Sequence, residues 1–165
     1  MQTQNATLVE TREIAPEIRH FVFAVEGAPT FAFKPGQFVS FTETMDGKQI
    51  TRAYSIASIP NGNRFELCLN LVKDGRFSPH LFQMKAGDRV AMKGPVGTFT
   101  LRRPEQDALF IATGTGIAPI RGILQEAAQL GSTAQRTLLF GVRHEHGLLY
   151  REEFEAMAGG SEQFR

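Results

Sequence analysis

The chain has 165 residues, which is enough for one domain or two small ones with a buried core. Its formal net charge is +1, so bulk electrostatics favour neither a nucleic-acid partner nor a membrane surface. Charged residues make up 21% of the chain, a fraction that excludes a disordered sequence dominated by charge.

The N-terminal part of the chain is predicted to form short strands separated by turns. Apolar and polar residues alternate with a period of two in the segments 18–25, 37–42, 49–57 and 64–72. Asp46-Gly47 is a hairpin signal between the second and third of these segments. Many short strands joined by glycine and proline turns are typical of a small antiparallel barrel.

A short helix and one more strand complete this part of the chain. Ser78-Pro79 resembles a helix N-cap followed by proline at the first helical position, and it predicts a helix that begins there. Residues 88–93 are predicted to form the next strand, and Gly94-Pro95-Val96-Gly97 a rigid turn after it.

The pattern changes after Arg102-Arg103-Pro104-Glu105, which is the best candidate for a linker. The sequence then predicts a strand buried on both faces, a helix, a second buried strand and a shorter helix, at 108–112, 117–130, 137–142 and 150–158. This order is the βαβ rhythm of a parallel sheet. We therefore predict two domains, residues 1–103 and 104–165.

The second domain is expected to be incomplete. Two strands and two helices cannot bury both faces of a parallel sheet, and a third strand is predicted to start at Phe164. We therefore expect the sequence to be a fragment that lacks its C-terminal portion.

Arg52-Ala53-Tyr54-Ser55 lies toward the end of the predicted strand 49–57 and has side chains that suit a flavin. The Arg52 guanidinium matches phosphate oxygens, the Tyr54 ring can stack on an isoalloxazine, and Ser55 can hydrogen-bond near N5, which takes the hydride. Strand alternation puts Ser55 on the face opposite Arg52 and Tyr54, so Ser55 joins them where the strand twists or through its backbone N–H. The alternative is an edge strand with a surface arginine and a half-buried tyrosine.

Two glycine turns lead into predicted helices. Gly75-Arg76-Phe77-Ser78 either presents unpaired backbone N–H groups to a diphosphate or is an ordinary helix start. Residues 113–119 join a buried strand to a helix, as a dinucleotide-binding turn does, with Pro119 in place of a third glycine. A tight turn with no ligand is the alternative for this second segment.

The remaining candidate residues exclude several kinds of site. Cys68 is the one cysteine, which excludes an internal disulfide and an iron–sulfur cluster ligated by this chain alone, and it is predicted to pack in the barrel. His144 and His146 flank Glu145 without a further evident ligand, so no metal site is predicted. The sequence has no signal-peptide pattern and no apolar run of membrane-spanning length, so we expect a cytoplasmic protein.

The order of these motifs resembles the ferredoxin–NADP reductase superfamily of flavoprotein reductases over nearly the whole chain. The motifs that carry the resemblance are Arg52-x-Tyr54-Ser55, Gly75-x-x-Ser78, Gly94-Pro95-x-Gly97-x-Phe99-x-Leu101, Gly114-Thr115-Gly116-Ile117-Ala118-Pro119, Phe140-Gly141-Val142-Arg143 and Leu148-Leu149-Tyr150-Arg151-Glu152-Glu153. The third motif looks particularly like bacterial ferredoxin reductases and the reductase components of bacterial oxygenases. The resemblance implies a six-stranded antiparallel barrel that binds FAD, followed by an α/β nucleotide-binding domain.

By position, the resemblance implies two groups of cofactor-binding residues. The group expected to bind FAD is Arg52, Ala53, Tyr54, Ser55, Asn70, Leu71, Val72, Gly75, Arg76, Phe77 and Ser78. The group expected to bind NAD(P)H is Thr113, Gly114, Thr115, Gly116, Pro119, Gly141 and Arg143. Tyr54 and Ser55 are the expected catalytic residues, because the resemblance places them beside the reacting ring.

The activity implied by the resemblance is hydride transfer from NAD(P)H to FAD, followed by release of electrons to an acceptor protein. The implied acceptor is a ferredoxin, a flavodoxin or an oxygenase component. A free-flavin or ferric reductase is one alternative, and a flavin-binding module without a complete nicotinamide site is another.

Overall fold

The computed structural model describes residues 2–165. Its first part is a six-stranded antiparallel sheet with strands β1 (Gln4–Ala15), β2 (Ile18–Val25), β3 (Phe38–Met45), β4 (Lys48–Ser55), β5 (Arg64–Asn70) and β6 (Arg89–Val96). One helix, α1 (Phe77–Gln83), lies between β5 and β6. In space the strands follow the order β4-β3-β6-β1-β2-β5.

The sheet curls until its two edge strands approach each other. Just beyond β4, Ile56 pairs with Leu67 of β5, and the Ala57 amide donates to the Glu66 carbonyl oxygen at 2.8 Å. The predicted antiparallel barrel is therefore confirmed, and these six strands are called the barrel below.

Phenylalanine side chains fill the barrel. Phe23, Phe41 and Phe65 are fully buried, and the Phe23 ring centroid lies 5.0 Å from that of Phe41 and 5.7 Å from that of Phe65. Full burial of one such side chain stabilises a fold by about 1.5–3 kcal/mol. The period of two that predicts β2 and β5 thus points their large apolar side chains inward, as the sheet geometry requires.

Strand β1 is the element that the sequence pattern misses. Its pairing with β2 shifts register between Leu8 and Glu10 and again between Glu13 and Ala15. Each shift inserts an extra residue and reverses which positions face inward. A strict period of two is therefore lost over a strand of 12 residues.

The turn predicted at residues 94–97 is wrong, because the first three of them continue β6. Val96 pairs with Phe38, and the ladder between β3 and β6 shifts register before it resumes at Ser40. Pro95 lies opposite this shift, where its missing N–H does not interrupt a regular ladder.

The second part of the structure is a βαβ unit. Its strands β7 (Ala108–Thr113) and β8 (Arg136–Gly141) are parallel and are joined through helix α2 (Ile117–Gln129), while helix α3 (Arg151–Gly160) follows. The predicted order of strands and helices is confirmed. Phe164 forms a parallel bridge with Arg136, so pairing of a third segment begins where the sequence predicts it.

The prediction that β7 and β8 are buried on both faces is wrong for residues 2–165. Leu109, Ile111 and Leu139 are 59%, 67% and 53% exposed. The opposite face carries Phe110 and Leu138, which pack against the apolar side chains of α2 and α3. Within the described part of the chain, helices therefore cover one face of this sheet.

A second apolar cluster joins the barrel to the βαβ unit. Ala15, Ala57 and Cys68 of the barrel side pack with Ile117 and Ile120 of α2. Helix α2 therefore rests directly on the barrel, and the relative position of the two parts is set by buried contacts. None of the helices in residues 2–165 is long and apolar enough to cross a membrane.

Candidate functional site

A cavity of about 490 Å³, called the slot here, lies where the barrel meets the first turn of α2. The barrel wall is lined by Arg52, Ala53, Tyr54, Ser55, Cys68, Leu69, Asn70, Val72, Gly75, Arg76, Phe77 and Ser78. The opposite wall is lined by Thr115, Gly116, Ala118 and Pro119. Two motifs about sixty residues apart in the sequence thus face each other across one cavity.

The edge position of β4 explains why four consecutive residues reach the slot. The ladder of β4 runs along β3, with Tyr54 opposite Val39 and Ser55 opposite Phe38. The other edge of β4 faces the slot, so residues from both faces of the strand border the cavity. Ser55 therefore borders the same cavity as Arg52 and Tyr54. In an interior strand, the alternation of side chains would place Ser55 on the opposite face of the sheet.

The Tyr54 ring is held by two aromatic neighbours. Its centroid lies 5.8 Å from that of Phe41 and 6.1 Å from that of Phe77. Burial raises the pKa of the Tyr54 phenol to about 12, although the charge of Arg52 acts in the opposite direction. The ring is thus a fixed, neutral surface at physiological pH.

We expect the folded protein to form much less tyrosinate than the unfolded chain between the usual pKa of 10.0 and about 12. Tyr54 and Tyr150 are its two tyrosines, and burial raises the pKa of both. The contribution of the neutral Tyr54 phenol to the free energy of unfolding is complete below pH 10.0 and is lost as the pH rises toward 12. The near-ultraviolet absorbance of tyrosinate, followed with and without denaturant, checks this. Ionisation of the folded protein at the same pH as the unfolded chain would contradict it.

The N-cap predicted at Ser78 is wrong. Helix α1 begins at Phe77, and Arg76 occupies the N-cap position without a side-chain cap bond. Ser78 is buried, and its Oγ accepts a hydrogen bond from the Val72 amide at 2.9 Å. The Gly75 amide donates to the Val72 carbonyl oxygen at 2.9 Å, and a Cβ at Gly75 would lie 3.0 Å from that oxygen. Ser78 therefore shapes a tight loop that borders the slot.

Two arginines give the slot a positive charge. Arg52 is exposed, and its Nη1 donates to the Thr51 carbonyl oxygen at 2.9 Å. Arg76 Nη1 lies 3.2 Å from Asp46 Oδ2, and both side chains are mostly exposed, so this pair is weak. The residues that line the slot include these cations and no acidic side chain.

A second cavity, of about 750 Å³, opens at the carboxyl ends of β7 and β8. Its lining consists of Ala15, Pro16, Ile18, Asn70, Thr113, Gly114, Thr115, Gly141, Val142, Arg143, His144, His146 and Gly147. Asn70 and Thr115 line both cavities, so the two spaces meet there. The carboxyl edge of parallel strands is the usual ligand position in open α/β sheets.

The structure brings the predicted site residues to these two cavities with one exception. Leu71 lines neither of them, and its amide donates to the Glu17 carbonyl oxygen at 2.7 Å. Leu69 also lines the slot, although no sequence motif marks it, and Ala118 of the predicted turn lines the opposite wall.

Cys68 was also missed as a slot residue, although its strand position shares a face with Asn70. It is a buried residue of barrel strand β5, as predicted, and it packs at the junction with the βαβ unit. Burial raises the pKa of its thiol to about 11, against the opposing effects of the neighbouring Tyr150 and Arg121. The thiol is therefore protonated and a poor nucleophile at neutral pH.

The slot has the shape and donor set that a flavin dinucleotide needs. Arg52 and Arg76 can neutralise a diphosphate, Tyr54 offers a flat ring, and Gly75 permits the tight loop that borders the cavity. The adjoining cavity has the glycine turn that a second dinucleotide needs, at Gly114 and its neighbours.

Known protein families match both parts of the chain. The oxidoreductase FAD-binding domain model matches residues 5–101, and the oxidoreductase NAD-binding domain model matches residues 110–165. Ferredoxin–NADP reductase B of Sorangium cellulosum is 39% identical over 163 residues, which are 97% of this chain and 66% of that protein. The toluate 1,2-dioxygenase electron transfer component of Pseudomonas putida is 35% identical over 128 residues, 77% of this chain and 38% of that protein.

A solved structure shows the same fold. The cytochrome P450 reductase GcoB of Amycolatopsis matches with a TM-score of 0.88 and 30% identity, over 99% of this chain and 50% of that one. The chain thus spans 66% or less of the length of these relatives. Since the FAD-binding model alone matches more than half of the residues, the chain belongs to the ferredoxin–NADP reductase family of flavoprotein oxidoreductases.

Proposed function

We propose that this chain forms the flavin and nicotinamide sites of an oxidoreductase that passes electrons from NAD(P)H through FAD to an acceptor protein. FAD would lie in the slot and the nicotinamide dinucleotide in the adjoining cavity. The observation that carries the proposal is the meeting of these two cavities at Asn70 and Thr115.

The barrel wall would hold the FAD tail. The planar Arg52 guanidinium offers paired donors to phosphate oxygens. Arg76 adds a second positive charge, because its exposed contact with Asp46 is weak enough to exchange for a phosphate. Gly75 permits the tight loop beside the phosphates, because a Cβ there would crowd Val72.

The end of β4 would hold the ring. Tyr54, fixed by Phe41 and Phe77, would cover one face of the ring with a neutral surface. Ser55 would present its hydroxyl or its backbone N–H beside the reacting nitrogen. Bound FAD itself would supply the chemistry, accepting a hydride and releasing electrons singly.

The βαβ unit would orient the nicotinamide donor. Thr115 and Gly116 lie on the wall opposite Tyr54 and would keep the donor ring against the flavin while excluding water. Thr113, Gly114 and Gly141 would accommodate the rest of the dinucleotide at the strand ends, with Arg143 as a cation for its phosphates. The chain's own residues therefore bind and orient the two reactants.

Anaerobic reduction of the reconstituted protein tests this proposal. The bound flavin should lose its visible absorbance when NADH or NADPH is added, and recover it when ferricyanide is added as a generic acceptor. FAD that stays oxidised with both nucleotides would contradict the proposal and favour a binding module. Flavin that is consumed and released as a substrate would favour a free-flavin reductase.

The acceptor is proposed to be a ferredoxin, a flavodoxin or an oxygenase component. This proposal is supported by the similarity to a ferredoxin–NADP reductase and to the electron transfer component of a dioxygenase. We place the activity in the cytoplasm, because a chain with one buried cysteine needs no oxidising compartment.

A further inference from the structure

A polar cluster lies behind the slot, at the junction of the barrel and the βαβ unit. At its centre is Arg121 of α2, which is 9% exposed. A buried guanidinium is costly unless charges and hydrogen bonds satisfy it. Burial opposes its charge, but hydrogen bonds and charges from Glu66 and Glu153 outweigh that effect and raise the pKa of Arg121.

Three acceptors on different elements bind this one guanidinium. Nη1 donates to the Ala57 carbonyl oxygen at 2.7 Å and to Glu66 Oε2 at 2.5 Å, both on the barrel side. Nε donates to Glu153 Oε2 of α3 at 2.7 Å, and Glu153 also accepts from Gln125 at 2.7 Å. Arg121 therefore ties α2 to the barrel and to α3 at the same time.

Tyr150 completes the cluster from the βαβ unit. Its ring lies under the Arg121 guanidinium, 4.5 Å from ring centroid to carbon, and its hydroxyl is 2.9 Å from His20 Nδ1 of β2. The backbone of Tyr150 has a φ of 58°, which a bulky residue rarely adopts unless its surroundings hold it there. The contacts with Arg121 and His20 provide such surroundings.

The cluster shares its residues and its helix with the slot. Cys68 packs in the same apolar cluster as Tyr150 and also lines the slot. Arg121 lies about one helical turn beyond Ala118, which lines the opposite wall. A Cβ on Gly122 would lie 2.7 Å from the Ser58 carbonyl oxygen, so α2 touches the barrel backbone at this level. Any movement of α2 away from the barrel would therefore change the width of the slot.

We propose that Arg121 is a positioning residue for hydride transfer, which sets the separation of the two slot walls by binding Ala57, Glu66 and Glu153 together. This inference rests on the proposed function. Arg121 lines neither cavity, so it acts through the position of α2 and not by contact with either ring. A lysine at this position would keep the positive charge, but its ammonium group cannot reproduce the planar set of donors with which the guanidinium binds all three acceptors.

A distance measurement without cofactor isolates this role. Spin labels at Lys48→Cys and Glu152→Cys, both exposed, report the separation of the barrel and α3. Buried Cys68, with its pKa raised to about 11, takes up little label. We expect Arg121→Gln to widen or lengthen the distance distribution, and Arg121→Lys to do so less. Arg151→Gln is the matched control, because it breaks exposed pairs with Glu145 and Glu155 inside the βαβ unit.

A kinetic measurement links the distance to catalysis. In Arg121→Gln, FAD affinity should be retained, while the first-order rate of flavin reduction at saturating NAD(P)H falls by roughly a hundredfold, as small misplacements of reactants do. Arg121→Lys should recover part of this loss, and Arg151→Gln should show none.

The two measurements separate the possible failures. An unchanged distance distribution in Arg121→Gln would overturn the positioning role, whether or not the protein reacts with NAD(P)H. A wild-type protein that is not reduced by NAD(P)H would overturn the proposed function, while the distances still decide whether Arg121 fixes the junction. If Arg121→Gln does not fold, Glu66→Gln removes the same ion pair and should widen the distribution to a smaller extent; no change there would also overturn the inference.

Discussion

Replacement of Gly36 by alanine is expected to destabilise the protein by about 3–5 kcal/mol, a large loss for a domain of ordinary stability. Gly36 has a φ of 93°, in the region that favours glycine. A Cβ there would overlap the Phe99 carbonyl oxygen and lie 2.9 Å from Ile123 Cδ1 of α2. Because a backbone oxygen cannot turn aside as a side-chain end can, the segment or the helix must move.

Gly47→Ala is the matched control for this substitution. Gly47 has a φ of 71° in the β3–β4 hairpin, but a Cβ there would meet no atom within 4 Å. Its cost should be limited to backbone strain, on the order of 1–2 kcal/mol. Urea unfolding of both variants measures the difference. Equal losses would show that strain, and not the contact with Phe99 and Ile123, accounts for the effect at Gly36.

Arg52→Ala is expected to weaken FAD binding by about 10- to 100-fold, since a hydrogen bond to a charged group contributes roughly 1.5–3 kcal/mol. Arg52 is exposed and donates to the Thr51 carbonyl oxygen, so the folded protein depends little on it. Flavin titrations at several salt concentrations measure the loss, and the variant should also show a weaker dependence on salt.

Two controls make the phosphate role of Arg52 specific. Lys48→Ala removes the same charge from the same strand at an exposed position outside the slot, and it should leave FAD affinity unchanged. Riboflavin has no phosphate, so its affinity should be equal in Arg52→Ala and in the wild-type protein. A parallel loss of riboflavin and FAD affinity would mean that Arg52 supports the ring or the strand and does not bind the phosphates.

The barrel strands are readable from the sequence because one face of each is buried. Alternation from Ile18 to Val25 follows from a sheet that packs phenylalanine on its inner face, and Asp46-Gly47 marks the hairpin because both residues have positive φ. The period fails in β1, where two register shifts reverse the facing of its residues. Local bulges depend on the partner strand, which a single segment does not reveal.

The exposed side of β7 and β8 shows a different limit. The continuous apolar runs around Leu109 and Leu139 indicate strands that can be buried on both faces. The runs do not show which other elements cover those faces. In residues 2–165 the helices lie on the other face, so these side chains are exposed. An apolar composition therefore shows that both faces of a strand can be buried. Whether they are buried depends on the elements that pack against the sheet.

Part of the slot can be predicted from the sequence, but the polar cluster behind it cannot. Arg52, Tyr54 and Gly116 belong to short motifs whose chemistry suits a dinucleotide, so their spacing along the chain is informative. Arg121 and Glu66 are 55 positions apart, and His20 and Tyr150 are 130 apart. No helical or strand period relates such positions. Their contact arises only when α2 docks on the barrel.

The slot between the barrel and α2 is expected to bind a flavin dinucleotide, and a titration of the apoprotein with FAD measures this binding. We expect a one-to-one complex with a shifted visible flavin spectrum, tighter binding of FAD than of riboflavin, and a thermal midpoint that rises with FAD concentration. A folded apoprotein that takes up no FAD, or that binds FAD and riboflavin equally, would contradict it.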